Sequence, residues 1–137
     1  MLASDRARLV HTLRDAPIAS AYLFGSHARG TAHAQSDLDI AILFDTRTVS
    51  HPKARQTAAD ALRLDLMAAL GQNQVDVVVL NDASPELAVS VIHTGEPLER
   101  RDAEADHVFQ RDAQLRYADL RPFLDRTRRL KADALAP

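Results

Sequence analysis

The chain contains no cysteine and no tryptophan, only four glycines, and aromatic side chains at just 4% of its 137 residues. Without cysteine there are no disulfides, no thiolate zinc sites and no cysteine nucleophile. So few aromatics leave no evident stacking surface for single-stranded nucleic acid. A surplus of positive charge is missing as well: the formal net charge is −2, whereas a protein that grips a long polyanion is usually basic. Direct nucleic-acid binding is therefore not expected. No stretch approaches the roughly 18 apolar residues of a membrane span. Met1 to Asp15 carries charges throughout and has no apolar signal core. The expectation is a soluble, cytoplasmic protein with no membrane partner.

What is present suffices for one globular domain, since 46% of the residues are hydrophobic. Ala3 to Asp15 reads as a helix, with Ser4 placed to cap it and Pro17 after it. Ile18 to Phe24 reads as a strand, followed by a short helical turn over Ser26 to Thr31. Leu38 to Phe44 is a second strand, apolar enough to be buried on both faces. A long helix should open at Ser50-His51-Pro52, with Ser50 as cap, and run to about Leu70. Its apolar face would hold Ala58, Ala61, Leu62, Leu64, Leu66 and Ala69, and Gly71 should end it. Val75 to Leu80 is a third strand, and Ser84-Pro85 starts a helix that stops at Gly95. From Asp102 to Leu135 the composition is helical, broken or kinked near Pro122. This order predicts an α+β fold, a small mixed β-sheet flanked by helices with a C-terminal helical tail. Residues 1–100 would form the domain and 101–137 the tail.

The informative motif is Gly25-Ser26, then a ten-residue gap, then Asp37-Leu38-Asp39. A glycine turn that opens onto backbone N–H groups can hold phosphates. Aspartates on alternate residues of a strand face the same way, roughly 7 Å apart, and can share hard cations. Alone, Asp-x-Asp also suits an ordinary acidic turn. Asp76, the one charge in Val75-Asp76-Val77-Val78-Val79, either completes a three-carboxylate site or sits at a sheet edge facing water. Two carboxylates 4 Å apart repel by about 4 kcal/mol at an effective dielectric of 20, so convergence of three implies a cation or raised pKa values. Oxygen donors alone favour Mg²⁺ or Mn²⁺ over zinc.

Around the motif, Ser26 can cap the short helical turn and also face an anion. Arg29 is placed either to reach a phosphate and brace the aspartates or to lie solvated on the surface. Ser36 shapes the turn before the strand, and His27 is expected at the surface. Gly25-x4-Gly30-Thr31 has the outline of a P-loop but lacks its lysine, which argues against a P-loop ATPase.

Tyr22-Leu23-Phe24-Gly25-Ser26, Ala28-Arg29-Gly30, Ser36-Asp37-Leu38-Asp39-Ile40 and Val75-Asp76-Val77-Val78-Val79-Leu80 resemble the minimal nucleotidyltransferases of the DNA polymerase β-like superfamily. So do Ala88 to Ile92, Gly95 and Leu98-Glu99-Arg100. Phe109, Tyr117-Ala118-Asp119 and Pro122 are similar to the antitoxin branch of that family, found in HEPN/MNT toxin–antitoxin systems. The resemblance covers about residues 15 to 125 and implies a polymerase β-like nucleotidyltransferase fold. It implies a HEPN-domain ribonuclease toxin as partner, in a hetero-oligomer, and transfer of AMP from ATP to a tyrosine hydroxyl on it. Gly25 and Ser26 would bind the triphosphate, with Arg29 beside them. Asp37 and Asp39 would hold two Mg²⁺ ions, and Asp76 would hold one and orient or deprotonate the hydroxyl.

Two other readings stay open. One is transfer to a small-molecule hydroxyl, although that class usually carries a further helical domain for the acceptor. The other is an antitoxin that masks its partner without catalysis. In the tail, Val108, Phe109, Leu115, Leu120, Phe123 and Leu124 recur at largely helical spacing. They would pack on the protein's own sheet, on a partner, or on each in different halves across Pro122.

Overall fold

The computed structural model describes residues 1–29 and 37–135, with His27 and Arg29 described for their backbone only. The elements run α1 (Ala3–Leu13), β1 (Ile18–Phe24), α2 (Ser26–Arg29), β2 (Leu38–Phe44), α3 (Pro52–Leu70), β3 (Val75–Val79), a single 3₁₀ turn (Leu80–Asp82), α4 (Pro85–Thr94), β4 (Glu96–Arg100) and α5 (Ala103–Leu135). The sheet order is β3-β2-β1-β4. β1 pairs antiparallel with β2 and β4, and β2 pairs parallel with β3. This is the α+β, mixed-sheet fold with a long C-terminal helix. Among the described residues no helix is long and apolar enough to cross a membrane.

Alternation along β2 divides the molecule into layers. Leu38, Ile40, Ile42 and Phe44 pack with Leu9 and Leu13 of α1 and with Ala59, Leu62 and Leu66 of α3. Ala41 and Leu43 point the other way, into a second cluster with Tyr22, Leu80, Val91 of α4 and Ala105 and Phe109 of α5. β2 is buried along almost its whole length, as a central strand covered on both faces must be. Each such large side chain contributes about 1.5–3 kcal/mol by leaving water.

Several local expectations are corrected. Ser4 lies inside α1 and caps nothing; Leu2 holds the N-cap position without a side-chain bond. Ser50 does not cap α3 either, because His51 precedes Pro52 there. Ala61 and Leu64 face solvent, and α3 buries Arg55, Ala59, Leu62 and Leu66 instead. Gly71 ends α3 as expected, at φ 63°, a left-handed conformation that glycine adopts without strain. Ser84 caps α4 by accepting from the Leu87 N–H at 3.2 Å.

β4 was not expected. Glu96-Pro97-Leu98-Glu99-Arg100 has two glutamates, an arginine and a proline, none of them a strand signal. As an edge strand it needs only one paired side, and charge and proline are what protect such an edge. Of the break or kink expected near Pro122, the break is absent: α5 runs on through the proline.

Candidate functional site

β1 ends where β2 and β3 begin, so the motif residues gather at one end of the sheet. Asp39 stands opposite Phe24 of β1 and, on its other side, opposite Asp76 of β3. In-register residues of adjacent strands face the same way about 4.8 Å apart at the backbone. Asp39 has the alternation parity of Ala41 and Leu43, which places both aspartates on the face covered by α4 and α5. Asp37 lies just ahead of β2, where the Leu38 N–H already pairs with the Gln74 carbonyl at 2.8 Å, so strand alternation carries it to that face too. Asp39 is half-buried, while Asp37 and Asp76 are exposed. Asp76 is exposed on β3, an outer strand of the sheet, and shares the face of Asp39.

Gly25 connects the turn to the acids. Its φ of 73° lies in the left-handed region, and a Cβ built on it would overlap the Asp39 carboxylate. The backbone of the turn is thus packed directly on that carboxylate. Ser26 opens α2, whose Ala28 packs against the α1/α3 core and anchors the turn. The side chain of Arg29, together with Gly30 and Ser36, lies outside the described residues.

The donor set consists of carboxylate oxygens, with two of the three groups open to water. That suits a hard divalent cation that keeps part of its hydration. Among the described residues no three His, Cys, Asp or Glu side chains are drawn to metal-ligand distance. The aspartates stand at strand spacing.

A second polar constellation, not expected from sequence, lies under α5 on the same face. Asp106 is completely buried. It accepts hydrogen bonds from Ser20 Oγ at 2.7 Å and Tyr22 Oη at 2.5 Å, and from Gln110 Nε2 at 2.9 Å. Arg100 Nε approaches Oδ2, the oxygen that Gln110 meets, at 3.4 Å. Burial, and then the hydrogen bond to Asp106, push the Tyr22 hydroxyl pKa up. A buried carboxylate survives only with such partners, and these tie α5 to β1 two residues before Phe24. The available signal was Ser20 and Tyr22, two hydroxyls in an otherwise apolar strand.

A Gly-Ser turn packed on a strand-borne aspartate, with a second aspartate in register on the next strand, is nucleotidyltransferase architecture. Residues 8–104 match the family described as Polymerase beta, Nucleotidyltransferase, and the chain belongs to it. Within that family it is 39% identical, over 79 residues, to the protein adenylyltransferase MntA of Shewanella oneidensis. That match takes in 56% of this chain and 50% of MntA, so the chain spans about half the length of this curated relative. A chain of a toxin–antitoxin crystal structure with AMP-PNP superposes with a TM-score of 0.65 at 30% identity, covering 89% of this chain and 97% of that one. A chain from the complex of a tri-AMPylated Shewanella oneidensis HEPN toxin with MNT antitoxin gives 0.62 at 27% identity, covering 93% and 98%.

Proposed function

We propose that this chain is an antitoxin that transfers AMP from ATP to a tyrosine hydroxyl of a HEPN-domain toxin and thereby silences it. The observation that carries the reading is the Asp39–Asp76 register with Gly25 packed on Asp39. It is supported by the likeness to MntA and to chains crystallised with AMP-PNP and with an AMPylated HEPN toxin.

In this reading the backbone at Gly25 and Ser26 receives the triphosphate, and the missing Cβ lets phosphate oxygens approach closely. Arg29 is the candidate to add charge there, its side chain lying outside the described residues. Asp37 and Asp39 would hold two Mg²⁺ or Mn²⁺ ions and Asp76 would hold one; when bound, such ions would stabilise the attacking and leaving oxygens of an in-line displacement. Asp76, the exposed member, orients the incoming hydroxyl and takes its proton. The tyrosine oxygen forms a bond to the α-phosphorus, the bond from that phosphorus to the bridging oxygen breaks, and pyrophosphate leaves.

The test uses ATP labelled at the α- or at the γ-phosphate, incubated with the toxin and the wild-type or Asp39→Asn chain. α-Label on the toxin with wild type, lost by about 100-fold or more in the variant, is the expected result. Labelling from the γ-position instead would mean phosphoryl transfer and end the proposal.

A further inference from the structure

β1 delivers the Gly25 turn to the site, yet its own pairing is irregular at two points. Toward β2 the register shifts between Ile18 and Ser20, and toward β4 it shifts between Ala21 and Tyr22. Such a shift bends a strand and re-aims the side chains beyond it. Ladder hydrogen bonds therefore fix the far end of β1, Phe24 and the Gly25 turn, less closely than an unbroken ladder would.

The first residue past each shift carries a hydroxyl bound to Asp106. Ser20 Oγ and Tyr22 Oη both donate to Oδ1. Gln110 Nε2 donates to Oδ2 and also to the Tyr22 hydroxyl, at 2.9 and 3.0 Å. Asp106 is itself held in place. It lies in the first turn of α5, where the helix dipole favours a carboxylate. Asp102 caps that turn by accepting from the Ala105 N–H at 3.1 Å. The N–H groups of Arg101 and Asp102 both donate to the Ala19 carbonyl, at 2.8 and 3.0 Å, inside the first irregularity. One carboxylate oxygen thus spans both shifts from a fixed point.

Packing does not account for this arrangement. Ala105 and Phe109 of α5 already join the apolar cluster on this face, and Ala113 is buried further along. A buried carboxylate adds little stability over an apolar residue of similar volume. What it supplies is a set of directional bonds that fix where two side chains stand. Tyr22 passes the constraint on. It shares its face with Phe24, two residues along, and both pack in the same cluster. Phe24 stands opposite Asp39, and Gly25 packs on the Asp39 carboxylate.

We infer that Asp106 is a positioning residue: through Ser20 and Tyr22 it sets where the Gly25 turn and the Asp39 carboxylate stand. The inference rests on the proposed function for the reaction that this placement serves. Asp106 is completely buried and acts through β1, not on the substrate.

The test compares the full-length wild-type chain with Tyr22→Phe, Asp106→Asn, the two combined, and Ala113→Gly. The first deletes one hydroxyl and keeps the ring; the last loosens α5 without touching the carboxylate. The readouts are thermal melts, AMP-PNP affinity, the Gly25 amide resonance, and kcat for AMP transfer to the HEPN toxin at a temperature where every chain is folded. Tyr22→Phe should move the Gly25 resonance and lower kcat by about 10–100-fold, the effect of a displacement up to about 1 Å at a reacting group. AMP-PNP affinity should stay unchanged, because binding sums several phosphate contacts whereas in-line transfer is steep in distance. The combined variant should lose no more than the worse single one, as members of one unit do. Ala113→Gly should lower the melting temperature, as a glycine within a helix does, with wild-type kcat and Gly25 resonance. Wild-type kcat in Tyr22→Phe overturns the inference, as does an equal loss of kcat in Ala113→Gly. If the wild-type chain transfers no AMP while the Gly25 resonance moves in Tyr22→Phe and not in Ala113→Gly, the positioning stands and the proposed function falls. If that resonance moves in neither, the inference falls whatever the rates.

Discussion

Gly25 meets two demands at once: a left-handed backbone and space for the Asp39 carboxylate. An alanine there costs about 1–2 kcal/mol in the left-handed region and also pushes the carboxylate aside. The Gly25→Ala chain should fold, with a modestly lower melting temperature, and lose AMP transfer by at least about 100-fold, because a displacement near 1 Å at a reacting group has that effect. Rate assays beside thermal melts check this; a wild-type rate would mean that the turn and Asp39 do not act together. Asp39 and Asp76 stand out in the sequence as charges inside apolar strands, and Asp37 through its place two residues before Asp39 and behind the Gly25-Ser26 turn. Asp106 was not legible. An aspartate in an Arg- and Asp-rich helix looks solvated, and only the placement of Ser20 and Tyr22 beneath α5 makes it a buried anchor.

Among the elements, those with one periodicity and clear ends were readable: β1, β2, β3, α3 and α4. β4 was hidden because an edge strand is selected for charge and proline, the features that elsewhere mark a loop. The face of α3 was half misread because its tally of apolar residues included Ala61 and Leu64, while Arg55 turns inward. Arg55 is held by its own device. Its guanidinium donates to both Asp82 oxygens, at 2.9 and 2.7 Å, and to the Val49 carbonyl at 3.1 Å. These hydrogen bonds hold the Asp82 carboxyl below the usual carboxylate range. A carboxyl with a lowered folded pKa contributes stability in full above its unfolded value, about 3.9, and loses it as pH falls through the folded value. Melting temperature should therefore drop on acidification below about pH 4, with a shallower slope in Asp82→Asn. Parallel slopes in a pH series of thermal melts would show that the clamp does not contribute.

At the scale of the whole molecule, a four-stranded sheet brings a turn and three carboxylates to one end, and a helix longer than the sheet needs covers their face. The fold was readable from the order of elements. What the long helix does past Pro122 was not, since an amphipathic stripe looks the same whether its partner is the chain's own sheet or another protein. On the proposed function these aspartates serve to modify a toxin. Intact-mass spectrometry of the HEPN toxin after incubation with this chain, ATP and Mg²⁺ tests it most directly. A gain of one or more AMP increments with the wild-type chain, and none with Asp39→Asn or Asp76→Asn, is the result expected. A toxin silenced within a stable complex at unchanged mass would contradict it, leaving an antitoxin that acts by masking alone.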